Sequence, residues 1–115
     1  MKVRKAMFAG SWYPDRAAAC EKEIKQFLKE TPFQRVSLDD ITGGIVPHAG
    51  WYFSGAIACN VIRCLKAERS PDVIVVLGMH LRSNSPVYLI TEDLWETPFG
   101  NIAIEKELSG ELIKK

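Results

Sequence analysis

Residues 73–77 read Val-Ile-Val-Val-Leu. This run constrains the fold more than any other feature of the chain. Four β-branched residues and a leucine without polar alternation suit a strand covered on both faces, as in the centre of a parallel sheet. A second short β-type run, Gly44–Pro47, has Ile45 and Val46 at its middle. Between the two lies a helical pattern opening at Ser54 or Gly55, with Ile57, Ala58, Val61, Ile62, Cys64 and Leu65 on one wide apolar face. Strand, helix and strand over residues 44–78 make a βαβ unit of ordinary length, whose crossover should be right-handed. The expected class is α/β, a three-layer sandwich with a mainly parallel sheet. Residues 1–115 are expected to form a single domain.

The rest of the chain adds elements around this unit. Lys2–Pro14 reads as an extended segment ending in a turn, with Asp15 placed to cap a helix. Cys20, Ile24, Phe27 and Leu28 follow at helical spacing, with Glu21, Lys22, Lys25 and Lys29 on the wet side. Thr31 and Pro32 should stop that helix, and Gln34–Thr42 should be a loop. Val87–Ile90 is a further strand candidate. Glu105–Lys115 reads as a helix whose stripe of Leu108, Leu112 and Ile113 has little left to pack on, so self-association or further covering sequence is expected.

Charge and cysteine content remove several classes of function. Fifteen Lys and Arg against 14 Asp and Glu give a net charge of +1, too little positive excess for an ordinary nucleic-acid binder. Cys20, Cys59 and Cys64 lack the paired spacing of a disulfide framework or a cysteine zinc site, and reduced thiols are expected. The N-terminus lacks the apolar run of a signal peptide, and no stretch approaches the ~20 apolar residues of a membrane span. A cytoplasmic location is the expectation. Serine-hydrolase elbows, phosphate loops, dinucleotide glycine motifs and zincin motifs are all missing from the sequence.

The two histidines carry the chemical interest. His48 follows the 44–47 run and His80 follows the 73–77 run, so a parallel βαβ unit puts both at the carboxyl edge of the sheet, where ligands of open α/β sheets bind. There they could share a metal ion, or each could be a loop histidine bonded to backbone. His48 lies in Pro47-His48-Ala49-Gly50-Trp51-Tyr52-Phe53-Ser54-Gly55, and Ala9-Gly10-Ser11-Trp12-Tyr13-Pro14 forms a second loop of small residues and aromatics. Trp12, Tyr13, Trp51 and Tyr52 are candidates to line a cleft for a small-molecule or peptide ligand. Glu92, Asp93 and Glu96 read first as a solvated face.

Four blocks in order are specific where each alone is weak: Ala9–Pro14 (AGSWYP), Pro47–Gly50 with Ser54-Gly55 (PHAGxxxSG), Val75–His80 (VVLGMH) and Thr97–Gly100 (TPFG). Together they resemble the Memo-like family, whose bacterial and archaeal members are labelled AmmeMemoRadiSam system protein B. The resemblance runs from about Arg4 to Lys115. It implies an α/β fold related to the class III extradiol dioxygenases, of which this chain would be the N-terminal part. It implies His48 as first metal ligand and His80 as second, joined in the family by a later cysteine that none of Cys20, Cys59 and Cys64 matches. Only Met79 separates Gly78 from His80, where the family often has two residues. The metal implied is divalent: iron first, with copper or zinc also suited to imidazole. A non-haem metal-dependent oxidoreductase is one implied function. A non-catalytic adaptor holding a peptide or protein in the aromatic cleft is the other. Radical-SAM and AMMECR1-type proteins are the partners that the family label implies.

Overall fold

The computed structural model describes residues 1–30, 41–68, 70–78 and 82–115. Helix α1 spans Ala17–Glu30, α2 spans Trp51–Glu68 and α3 spans Lys106–Ile113. Strands β1 (Val3–Arg4), β2 (Leu94–Thr97) and β3 (Gly100–Ala103) form one mixed sheet in the order β1-β2-β3. The α/β class is as expected. The helix stop at Thr31 and Pro32, the loop over 34–40 and His80 lie outside the described residues.

Helix α1 follows its pattern. Cys20 is fully buried, Ile24, Phe27 and Leu28 are half-buried, and Glu21, Lys22, Lys25 and Lys29 are exposed. The helix begins two residues after Asp15, with the Cys20 N–H donating to the Arg16 carbonyl at 3.0 Å. Glu21 and Lys25, one turn apart, pair at 2.6 Å on the wet face, an exposed contact that water and salt screen. Helix α3 is capped by Glu105, whose carboxylate accepts from the N–H groups of Glu107 and Leu108. Such a cap meets the orphan donors of the first turn with a negative charge at the positive helix end.

Helix α2 starts at Trp51, three residues earlier than the apolar pattern suggests. Its first turn is formed by Phe53 and Ser54 N–H groups donating to the Gly50 carbonyl at 2.9 and 3.2 Å. Helices α1 and α2 pack together where Gly55 faces Phe27. A methyl group on Gly55 would fall inside contact distance of the Phe27 ring. Gly55 is buried at this contact, beside the buried Ser54.

The sheet joins chain segments about ninety residues apart. Val3 and Arg4 pair in parallel with Leu94 and Trp95, and β2 turns back antiparallel into β3. The turn is the TPFG block. Pro98 and Phe99 lie between the paired Thr97 and Gly100, Thr97 Oγ1 donates to the Gly100 carbonyl at 2.7 Å, and Gly100 has φ +118°. Proline after the first turn position and glycine at the last suit a tight reversal.

Three strand expectations are corrected. Gly44–Pro47, Val73–Leu77 and Val87–Ile90 have no strand assignment in the structure. The side chains of Val73–Leu77 are 43% to 91% exposed. A continuous apolar strand requires a neighbour on each edge and a layer on each face. Among the described residues neither is present. The chain exposes 9948 Å² for 12.9 kDa, against roughly 6,300 Å² for a compact monomer of that mass.

Asp93 and Glu96 are not a solvated face alone. Asp93 accepts from the Lys2 backbone N–H at 2.6 Å and pairs with Lys106 at 3.1 Å. Glu96 pairs with Lys5 at 2.8 Å and accepts from the Ala6 N–H at 3.1 Å. The Lys2 amide and then the Lys106 ammonium hold Asp93 below its ordinary 3.8, and Lys5 and then the Ala6 amide hold Glu96 below its ordinary 4.5. A carboxylate with a depressed folded pKa stabilises above its unfolded value and loses that contribution as pH falls through the folded one. The β1–β2 pairing should therefore loosen below about pH 4. Hydrogen exchange at the Val3 and Arg4 amides, followed from pH 6 to pH 3, should show the loss. Asp93→Asn with Glu96→Gln should flatten the acid limb; an unchanged limb would remove these two carboxylates as its cause.

Candidate functional site

The two loops picked out by their aromatics meet in the structure. In Ala9–Pro14, Gly10 has φ +80°, a region that favours glycine, and its N–H donates to the Tyr13 carbonyl at 2.7 Å. This closes a tight loop that presents the Trp12 carbonyl outward. The Trp51 N–H donates to that carbonyl at 2.9 Å. A first-turn N–H of α2 has no partner within its own helix, and Trp12 supplies one. The Gly50 Cα lies against the Trp12 backbone, so that a Cβ there would stand 3.4 Å from the carbonyl oxygen.

Side chains reinforce this junction. The Tyr13 and Trp51 rings lie 5.7 Å apart between centroids, and Phe27 meets Trp51 edge-on at 6.4 Å. Trp51 thus joins the loop, α1 and α2. The Cys20 thiol beneath donates to the Pro14 carbonyl at 3.0 Å. The four candidate cleft residues divide in two. Tyr13 and Trp51 are half-buried in this packing, whereas Trp12 is 47% and Tyr52 90% exposed. Tyr52 makes an edge-on pair with Phe53 at 5.0 Å, and Trp12 packs on Phe8 at 5.2 Å.

His48 lies on the segment that enters α2, and it is exposed. Its backbone is held on both sides. Upstream, Gly44 sits on Val61 and Leu65 of α2, so closely that a Cβ would overlap Val61. Downstream, the buried Ser54 hydroxyl donates to the Ala49 carbonyl at 2.9 Å, with the Gly50 carbonyl at 3.3 Å as the alternative acceptor. An exposed imidazole on an anchored backbone suits a ligand's role. His80, the second ligand expected from the sequence, is outside the described residues. Among the described residues, no three His, Cys, Asp or Glu side chains gather where one ion could be held. The described donors therefore do not complete a metal centre by themselves.

The cysteines are free thiols. Burial, then the neighbouring Glu23 and Asp15 carboxylates, push the Cys20 thiol up, and burial does the same to Cys59. Metal binding needs the thiolate, so both shifts disfavour it. The residues that sequence reasoning undervalued are Ser54 and the glycines at 44, 50 and 55. The signal for Gly50, Ser54 and Gly55 was the small-residue half of PHAGxxxSG, whereas Gly44 lies upstream of that block.

Among the described residues, no helix is long and apolar enough to cross a membrane. Comparison with known proteins matches residues 4–115 to the family model described as Memo-like protein. A MEMO1 family protein of Pyrococcus furiosus is 35% identical over 108 residues, which cover 93% of this chain and 36% of the relative. One of Pyrobaculum arsenaticum is 35% identical over 124 residues, covering 100% of this chain and 43% of the relative. One of Aquifex aeolicus is 31% identical over 115 residues, covering 99% and 41%. The chain thus spans about two-fifths of the length of these curated relatives. No solved structure matches it.

Proposed function

Because the chain belongs to the Memo-like family, we propose that it contributes His48 and His80 to a mononuclear metal site of the non-haem, dioxygenase-like kind. The observation that supports this is the setting of His48, an exposed imidazole whose backbone is anchored to α2 at Gly44 and at Ala49. A third ligand comes from the share of the family's length that this chain does not span, since none of its cysteines matches the family's later one. Iron(II) is the natural occupant of an imidazole site with open positions, and copper or zinc would also bind there. Such an ion supplies open positions for a substrate and an oxidant. The chain's own part is to hold the two imidazoles and to offer the exposed Trp12 and Tyr52 rings as an apolar approach.

The test is metal titration of the purified chain with Fe(II) under anaerobic conditions and with Zn(II). Weak uptake, approaching one ion per chain at saturation, is expected, since this chain supplies only the two imidazoles of the proposed site. His48→Ala and His80→Ala should each weaken binding at least about tenfold, since each removes one of few donors. Far-UV circular dichroism of apo His48→Ala should show that the variant keeps its helices. Equal metal binding by wild type and both variants would overturn the reading. The exposure of Tyr52 at 90% and Phe53 at 78% favours a second reading, an adaptor that seats a peptide or protein on these rings. No metal uptake, with peptide binding abolished by Tyr52→Ala, would establish it instead.

A further inference from the structure

The three residues after His48 are each fixed by a different contact. The Ala49 carbonyl precedes α2, and the Phe53 N–H, the helical donor four residues on, goes to Gly50 instead. The Ser54 hydroxyl takes its place at 2.9 Å. Gly50 is set against the Trp12 backbone, and the Trp51 N–H is bonded to the Trp12 carbonyl at 2.9 Å. Ser54 is only 5% exposed and is the one buried polar side chain among the described residues. Its hydroxyl has one proton, and both of its acceptors lie on the segment between His48 and the helix.

We infer that Ser54 is a positioning residue for His48: its hydroxyl and the Trp12 carbonyl form a two-point clamp that sets where the imidazole stands. The inference rests on the proposed ligand role of His48. A helix needs no such arrangement merely to start, since water satisfies exposed first-turn groups. The clamp spends a buried hydroxyl on a carbonyl outside the helix. Losing it leaves that carbonyl without its donor and frees the Ala49–Gly50 peptide unit to rotate. The backbone one residue from His48 then loses its reference to α2. Through Trp12 the clamp also ties the AGSWYP loop to the histidine.

The experiment compares wild type, Ser54→Ala and Ser54→Thr, the last of which keeps the hydroxyl. The Cε1 proton of His48 is followed by NMR in the apo protein, assigned by its loss in His48→Ala. Co(II) affinity is measured by optical titration. Ser54→Ala should move the His48 resonance toward its random-coil position and weaken Co(II) binding about fivefold, the worth of one net hydrogen bond. Ser54→Thr should restore both. Far-UV circular dichroism confirms that each variant remains helical. If wild type binds no Co(II), the metal reading fails, and the apo resonance alone decides the clamp. An unmoved resonance in Ser54→Ala, or a shift that Ser54→Thr does not reverse, would overturn the inference while leaving the metal reading intact.

Discussion

Trp51→Ala should lower the stability of the chain by about 2–3 kcal/mol, and the α1–α2 pair should loosen first. Truncating a buried tryptophan costs about 3–5 kcal/mol, and half-burial scales this down. Ring contacts with Tyr13 at 5.7 Å and Phe27 at 6.4 Å go with it, each worth about 0.5–1.5 kcal/mol beyond area. The core is thin, with Cys20 the fully buried apolar side chain among the described residues. No other large side chain described joins the loop and both helices. Urea unfolding followed by ellipticity reads the effect. Tyr52→Ala is the control: its neighbouring ring is 90% exposed, and its loss should stay within about 0.5 kcal/mol. Equal losses at the two positions would mean that Trp51 is not the joint between the elements.

Gly55→Val should cost about 2–3 kcal/mol, against the usual sign for glycine inside a helix. Replacing a helical glycine ordinarily gains up to about 1 kcal/mol of propensity with alanine and less with valine. At Gly55 the new methyls would enter the Phe27 ring. Moving that ring disturbs its edge contact with Trp51, and overpacking of this kind costs about 1–3 kcal/mol. Gly110 in α3 supplies the contrast, since nothing lies within 4 Å of a Cβ added there. Gly110→Ala should stabilise by about 0.5–1 kcal/mol. Denaturant midpoints that rise for both substitutions would show that α1 and α2 do not approach so closely at Gly55.

These two positions show how differently the elements could be read. The stripe of Cys20, Ile24, Phe27 and Leu28 repeats with the helical period, so its inner face was legible and is the face that packs. Gly55 was legible only as a helix start. That it is a contact surface depends on Phe27, 28 residues earlier, and no local pattern encodes that meeting. Trp51 read as a cleft aromatic because an aromatic run after small residues fits either a cleft or a core. Its half-buried place between Tyr13 and Phe27 is a matter of packing. The TPFG turn had proline and glycine at meaningful positions, yet was noticed as a motif rather than as a hairpin.

Local physics determined what the sequence could determine alone. Helical periodicity set α1 and the existence of α2 and α3, and the ordered blocks set the family; the expected apolar face of α2 was only partly right, since Ile57 and Ile62 on it are exposed. The tertiary structure decided which extended segments pair. Val3–Arg4 joins Leu94–Thr97 through ladder bonds and through Asp93 and Glu96, although neither strand is strongly apolar. Val73–Leu77, by far the better strand by composition, has no strand assignment. The reason is that β-propensity records a fit to a half-buried, paired surface and not an intrinsic backbone preference. A helix satisfies its hydrogen bonds from its own residues, whereas a strand must borrow them from a distant segment. The same dependence governs His48. Its place in PHAG was visible in the sequence, but the contacts of Gly44, Ser54 and Trp12 that hold it existed only once loop and helices had met.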